Sequence, residues 1–199
     1  MHTYMGRVIA PILSCDDESA AWLSRQDRWL EEQPQRLLDA LSIRRGMKIA
    51  DIGAGTGFIT VQLAHRVGHR GLVVASDLQP EMLDVLVNRS DMPGNVVPIL
   101  STPYDTRLPS NTFDLILLVD VYHEAPRPDL LLQGLRRALK PRGRLALVEY
   151  RKEDPRIPIN PYHKMSARQA TVELQANRFR LVQRYEQLPW QHLLIFVKQ

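Results

Sequence analysis

The stretch richest in chemistry reads Asp51-Ile52-Gly53-Ala54-Gly55-Thr56-Gly57. Glycines at alternate positions clear side chains from the backbone, so its N–H groups can lie against a ligand. A helix beginning just behind such a loop adds the positive end of its dipole. The pattern is not the dinucleotide fingerprint G-x-G-x-x-G. Counted from Gly53 the third glycine position holds Phe58, and counted from Gly55 it holds Thr60. Asp51 would repel a pyrophosphate and suits an amine-bearing ligand better. A second acid, Asp77, stands 20 residues beyond Gly57. Further on, Asp120-Val121-Tyr122-His123-Glu124 sets a histidine among carboxylates, a combination that can take or give a proton near neutral pH. Glu149 follows another apolar run.

Each of these groups falls at the end of an expected strand. Met47–Ile52 runs into the glycine loop, and Phe58–Val67 is helical. Leu72–Ala75 is a strand ending at Ser76-Asp77, and Pro80–Asn88 is a helix with proline in its first turn. Val96–Leu100 is a short strand. Phe113–Val119 is apolar on both faces, as a central parallel strand must be. Pro128–Leu139 is a helix and Leu145–Val148 a fifth strand, ending in Glu149-Tyr150-Arg151. This alternation predicts an α/β fold, a Rossmann-like doubly wound sheet of about seven strands with ligands at the carboxyl ends. Past a Pro-rich loop over 150–165, Ser166–Ala176 reads as a helix, with Ser166 and Gln169 as a capping box and Asn177 at the left-handed stop. Leu181–Gln187 and His192–Val197 then form a closing antiparallel hairpin, since no helix separates them. Residues 1–45 read as an N-terminal helical arm, with apolar faces from Trp22, Leu23, Trp29, Leu30, Leu37, Leu38 and Leu41. The two tryptophans are expected in the core. The whole chain, 1–199, is expected to be one domain: arm 1–45, ligand-binding core 46–150, and C-terminal loop, helix and hairpin 151–199.

Composition narrows the function. With 44% hydrophobic and 24% charged residues the chain is a globular mixture, not a disordered one. The single cysteine, Cys15, excludes a disulfide framework within the chain and fits a reducing, cytoplasmic setting. No run is long and apolar enough to cross a bilayer. The N-terminal run Val8–Leu13 lacks a signal-peptide core. His2, His65, His69 and His192 are scattered, so no metal site is legible. Of the 26 basic residues 21 are arginine, and residues 1–125 carry a net −5 while residues 126–199 carry +9. Either the second half has a solvated Arg-rich surface, or it meets an anionic ligand or RNA.

An acid followed by G-x-G-x-G, as in Asp51 to Gly57, resembles the first motif of the class I S-adenosylmethionine-dependent methyltransferases. The resemblance runs in register over about 46–150. Leu108-Pro109-x-x-x-Phe113-Asp114 and Lys140-Pro141-x-Gly143 resemble the ubiquinone- and menaquinone-biosynthesis type. The phrases Gly6-Arg7-x-Ile9-Ala10, Trp22-Leu23-x-Arg25, Asp120-x-Tyr122-His123-Glu124 and His163-Lys164-Met165 look similar to a bacterial subgroup. The resemblance implies S-adenosylmethionine as cofactor and S-adenosylhomocysteine as product, held by Asp51, Gly53, Ala54, Gly55 and Gly57. It implies that Asp77 takes the ribose hydroxyls, that Leu78 lies against the adenine, and that Thr102 and Asp105 sit near the adenine edge. Ser101 stands where that pattern usually has an acid. It also implies an arm that covers the cofactor and shapes the acceptor pocket.

Methyl transfer is an in-line displacement, so its first need is a nucleophile held against the methyl carbon. His123 is the candidate base, with Asp120 or Glu124 orienting it or binding cofactor, Asp120 at its methionine end, and Glu149 lining the acceptor pocket. The bland alternatives are a turn cap for His123 and a salt bridge for Glu149. His163 and Lys164 could form a lid or belong to a structured loop. The [Asn/Asp]-Pro-Pro-[Tyr/Phe] tetrad that grips planar amines is absent. A cysteine nucleophile for cytosine chemistry would have to be Cys15, far from the site in sequence. The expected acceptor is therefore a small molecule, with no membrane partner. RNA or protein acting through the Arg-rich half is the second reading, and a non-catalytic cofactor-binding regulator the third.

Overall fold

The computed structural model describes residues 2–199. Two very short strands, β1 (Thr3–Tyr4) and β2 (Arg7–Val8), pair antiparallel at the start. The arm is therefore not helical throughout. Its helices are α1 (Asp17–Leu23), α2 (Arg28–Glu31) and α3 (Pro34–Ala40). Pro34 opens α3, where its missing N–H costs nothing.

The alternating segment follows: β3 (Lys48–Ile52), α4 (Phe58–Val67), β4 (Leu72–Asp77), α5 (Pro80–Val87), β5 (Val96–Leu100) and β6 (Phe113–Val119). After a 3-10 turn at Tyr122–Glu124 come α6 (Pro128–Ala138) and β7 (Leu139–Tyr150). The chain closes with α7 (Ala167–Ala176), β8 (Phe179–Tyr185) and β9 (Gln191–Lys198). β7 is longer than the apolar pattern predicts. It starts where α6 ends, and its register on β6 shifts between Phe113 and Leu115 to accommodate Lys140 to Gly143.

The seven main strands lie in the order β5-β4-β3-β6-β7-β9-β8. β3 to β7 pair parallel, β9 runs antiparallel to β7, and β8 pairs antiparallel with β9. The order reverses beside β3, so the carboxyl ends of β3 and β6 diverge there and leave a crevice. Alternate residues of one strand feed opposite cores. Ala50, Ile116, Leu118 and Leu145 pack against α6 and α7. Ile49, Leu115, Leu117 and Ala146 pack against α3 and α4 through Leu37, Leu38 and Leu63. That two-sided burial is why the central strands read as unbroken apolar runs.

Ser166 caps α7 by accepting the Gln169 N–H at 3.1 Å. The reciprocal half of the box is absent, because the Gln169 side chain donates instead to Met5 O and Glu173. The left-handed residue after α7 is Arg178 (φ 64°), not Asn177 (φ −100°). Among the described residues no helix is long and apolar enough to cross a membrane.

Candidate active site

The glycine loop is fixed to the neighbouring strand before any ligand arrives. Gly53 N and Ala54 N both donate to Ser76 O, at 2.7 and 3.1 Å. Gly53 has a φ of 66°, and a Cβ there would lie 2.4 Å from Val121 Cγ2. Glycine is required on both counts. Gly55 N donates to Asp77 Oδ2 at 2.9 Å, and Gln79 N to Asp77 Oδ1 at 3.0 Å. Burial raises the proton affinity of Asp77, those backbone N–H groups oppose it, and the charge of Glu124 adds to it. Asp51 lies behind the loop and accepts from Thr60 Oγ1 at 2.6 Å. Burial pushes the Asp51 carboxyl up to about 7, with Thr60 and Arg28 opposing and Asp77 reinforcing. An ammonium group brought close would favour its ionised form.

These residues form one wall of a cavity of about 390 Å³, within the range of small-molecule sites. Leu78, Ser101 and Met82 also line it, as do Ile12, Leu13 and Trp22 of the arm and Pro158 and Ile159 of the Pro-rich loop. The arm is tied down by Arg7. Its guanidinium holds Glu173 of α7 at 2.7 Å and the backbone O of His123 at 2.9 Å, and Tyr122 Oη donates to Glu173 at 2.8 Å. Leu13 N donates to Glu124 Oε2 and Cys15 N to the Gln79 side chain. Sequence distance therefore misplaces Cys15: its backbone sits beside the turn that follows Asp77.

Asp120 occupies the tip of β6 with a φ of 54°. Gln191 Nε2 donates to its Oδ2 at 2.5 Å. Its Oδ1 is buried with no hydrogen-bond partner among the described residues. Burial drives its proton affinity well up, the charges of Glu32 and Glu149 add to this, and Arg28 and His123 oppose it. Arg28 binds Glu32 in a buried pair at 3.0 Å and stacks on the Phe58 ring, 4.4 Å from its centroid. Tyr150 Oη donates to Glu32 at 2.8 Å.

His123 is buried on the turn after β6. Glu149 holds it twice: Oε2 lies 2.6 Å from Nδ1, and Oε1 accepts the His123 backbone N–H at 3.2 Å. On the other side Nε2 lies 3.1 Å from His163 Nδ1 and 3.5 Å from Glu124 Oε1. His163 Nδ1 is itself 3.0 Å from Glu124 Oε1. Burial alone would lower the proton affinity of His123, but Glu149 and Glu124 outweigh it and raise the group to about 10. Both ring nitrogens are thus engaged within the protein, Nδ1 by Glu149 and Nε2 by His163 and Glu124.

Of the residues singled out in the sequence, Asp51, Gly53, Ala54, Gly55, Asp77, Leu78, Thr102, Asp105, Asp120 and His123 all line the cavity. Thr102 and Asp105 stand at its rim and spend their polar groups on their own turn: Asp105 N donates to Thr102 Oγ1, and Arg107 N to Asp105 Oδ1. Gly57 does not reach the cavity. It starts α4 with a φ of 84° and packs under Leu86. Glu149 does not line the pocket either. It lies fully buried behind His123, and its strand neighbour Tyr150 faces the cavity in its place. Trp22 and Trp29 are not core residues: they are 40% and 46% exposed, Trp22 with Arg25 over its ring and Trp29 edge-on to Phe58. Arg7 and Tyr150 appear in the sequence only within longer motifs, and neither they nor Glu32 and Gln191 are assigned a site role there. Tyr150, beside Glu149 at a strand tip, and Arg7, within a resemblance phrase, carry a local signal; Glu32 and Gln191 carry none. Although no metal spacing is legible in the sequence, the fold gathers His123, Glu124 and His163.

A family model described as "Methyltransferase domain" matches residues 50–147. The chain is 36% identical over 119 residues to the ubiquinone/menaquinone biosynthesis C-methyltransferase of Idiomarina loihiensis, covering 58% of this chain and 47% of that protein. It is 33% identical over 135 residues to the protein of the same name from Cellvibrio japonicus, covering 66% and 54%. The chain thus spans about half the length of these curated relatives. Among solved structures, an S-adenosylmethionine-dependent methyltransferase from Aquifex aeolicus superposes with a TM-score of 0.86 at 26% identity, over 94% of this chain and 100% of that one.

Proposed function

We propose that this chain, which belongs to the class I S-adenosylmethionine-dependent methyltransferases, moves the sulfonium methyl of that cofactor to a small-molecule acceptor bound beneath its N-terminal arm. The observation that carries the reading is the cradle itself. A glycine-rich loop is locked against Asp77, and the buried Asp120 Oδ1 has no hydrogen-bond partner among the described residues. These features fit the cofactor. Asp77 has spent two of about four acceptor positions, so two remain for a ribose diol. Asp51 and Asp120 together favour the cationic methionine end, and Leu78 offers an apolar face to the adenine.

The bound cofactor supplies an electrophilic methyl carbon on a positively charged sulfur. This chain's residues position and shield. Ile12, Leu13, Trp22 and Ile159 give the cavity an apolar lining, and binding in a fixed orientation converts the displacement into an effectively unimolecular step. Glu149 fixes the His123 ring and backbone, so the wall facing the acceptor is preorganised. His123, held by Glu149 on one side and facing Glu124 and His163 on the other, positions the acceptor.

The relatives named for quinone biosynthesis make a hydroxylated ring a reasonable acceptor class. The apolar arm residues beside polar Glu124 and His163 support the same choice. The Arg-rich half gives less support to RNA, because Arg127, Arg151, Arg156 and Arg184 are engaged by Asp129, Glu186 and Asp154. A cytoplasmic setting belongs to the same reading, since one thiol allows no disulfide within the chain.

Calorimetry with S-adenosylhomocysteine, followed by methyl transfer from labelled cofactor to a panel of phenols and quinols, tests the proposal. Tight binding and S-adenosylhomocysteine release that depends on acceptor are expected. Absence of cofactor binding would end the reading. Binding without turnover across the panel would favour the regulator.

A further inference from the structure

His123, Glu124 and His163 converge on one point of the cavity wall although 40 residues separate the two histidines. The three facing atoms, His123 Nε2, His163 Nδ1 and Glu124 Oε1, are 3.1, 3.5 and 3.0 Å apart. A tetrahedral ion with metal–ligand bonds of 2.0–2.1 Å needs its ligand atoms roughly 3.3–3.4 Å apart. The cluster is within a few tenths of an ångström of that spacing.

The surroundings match a built site. His123 turns Nδ1 to the fully buried Glu149 at 2.6 Å, leaving Nε2 to face the cluster. A carboxylate behind a ligating histidine fixes its tautomer and raises its basicity. Glu124 uses Oε2 to accept Leu13 N, leaving Oε1 to face the cluster. The His163 backbone donates to Asn160 O, and the adjoining Lys164 ammonium is held by Asp154 O and Ile157 O, so the loop is pinned at that point. All three residues line the cavity, which leaves a fourth position open to it.

We propose that His123, Glu124 and His163 form a three-ligand site for a divalent transition-metal ion of the zinc type, open toward the cavity. Two imidazoles and one carboxylate with a vacant position are the donor set of catalytic zinc sites. Its open position takes the oxygen of a hydroxyl-bearing acceptor, whose proton leaves to solvent as the metal-bound oxyanion forms. This last step rests on the methyl-transfer reading. O-methylation and methylation of a ring carbon activated by that oxyanion both begin from it.

The test is Co²⁺ titration of chelator-treated full-length protein, followed by visible absorption, with S-adenosylhomocysteine calorimetry on the same samples. One equivalent of Co²⁺ with intense four- or five-coordinate bands is expected, displaced by Zn²⁺ and shifted by azide at the open position. His163→Ala and Glu124→Gln should each weaken Co²⁺ binding at least about 10-fold, and His163→Ala should leave S-adenosylhomocysteine affinity within about threefold. Uptake that is absent, or equal in wild type and His163→Ala, overturns the site. Bands unmoved by azide overturn the open position. Failure of S-adenosylhomocysteine to bind the wild type would remove the methyl-transfer reading and leave the metal result standing on its own.

Discussion

Asp77→Asn separates the ligand-binding work of this residue from its structural work. The carboxylate accepts Gly55 N and Gln79 N at 2.9 and 3.0 Å, and two acceptor positions remain for the ribose diol. Asparagine keeps the shape but exchanges one oxygen for a donor and removes the charge. A hydrogen bond to a charged group is worth about 1.5–3 kcal/mol net. Two such bonds are affected, and asparagine retains one of them in neutral form, so the expected loss is about 2–4 kcal/mol. At 1.4 kcal/mol per factor of ten this is roughly 30- to 700-fold weaker S-adenosylhomocysteine binding. Stability falls too, because one buried backbone N–H loses its acceptor at a cost of about 1–3 kcal/mol. For a chain of this size that lowers Tm by about 2–12 °C. Asp77 is buried at the strand tip, so its structural work is not negligible. Calorimetry well below the lowered Tm reads affinity, and a thermal melt reads stability. Affinity within threefold of wild type, with Tm lowered as expected, would refute the ribose assignment and leave Asp77 a purely structural residue.

Three more outcomes follow from the site. The Asp51 carboxyl sits at about 7 against an ordinary 3.8, so the folded chain keeps a proton that the unfolded chain releases between those values. Its contribution to stability therefore declines as pH rises from about 4 to 7. S-adenosylhomocysteine, whose ammonium favours the carboxylate, should bind more tightly across pH 7; Asp51→Asn should flatten that profile, and an unchanged slope would exclude Asp51 as its source. Arg7→Ala leaves the fully buried Glu173 without its cation, at about 3–5 kcal/mol or about 6–20 °C in Tm, and Glu173→Gln in the same chain should recover part of it; a melt within 2 °C of wild type would contradict the arm anchor. Gly53→Ala puts a Cβ against Val121 in a left-handed backbone and should abolish detectable cofactor binding. Val121→Ala should relieve the clash but not the backbone strain, so full recovery in the double variant would show that strain is unimportant.

The order of strands and helices was legible because each apolar run carries its own period and each helix its own punctuation. Phe113–Val119 is apolar throughout because it is covered on both faces, and Pro34, Pro80 and Pro128 mark helix starts in the letters themselves. The glycine loop was legible for the same reason: a backbone that must turn left-handed against a neighbour leaves glycine as its trace, whereas the role of Asp77 came from the family resemblance. Where local rules compete, the sequence misled. Trp22 and Trp29 look like core residues by type, yet Trp22 lines the cavity and Trp29 packs edge-on to Phe58, both partly exposed. Asn177 is a good left-handed stop by propensity, yet Arg178 takes that conformation.

What Gly53, Gly55, Asp77 and the strand pattern determined by themselves was a cofactor loop on a parallel α/β sheet, since those features depend on residues close in the chain. The fold alone decided which side of β7 each residue faces. Pleating buries Glu149 behind His123 and turns Tyr150 to the cavity. Only the tertiary structure could bring Arg7 onto Glu173 and His163 onto His123 and Glu124. Those contacts join segments far apart in sequence, and their hydrogen bonds and charges exist only once the packed sheet excludes water from between them.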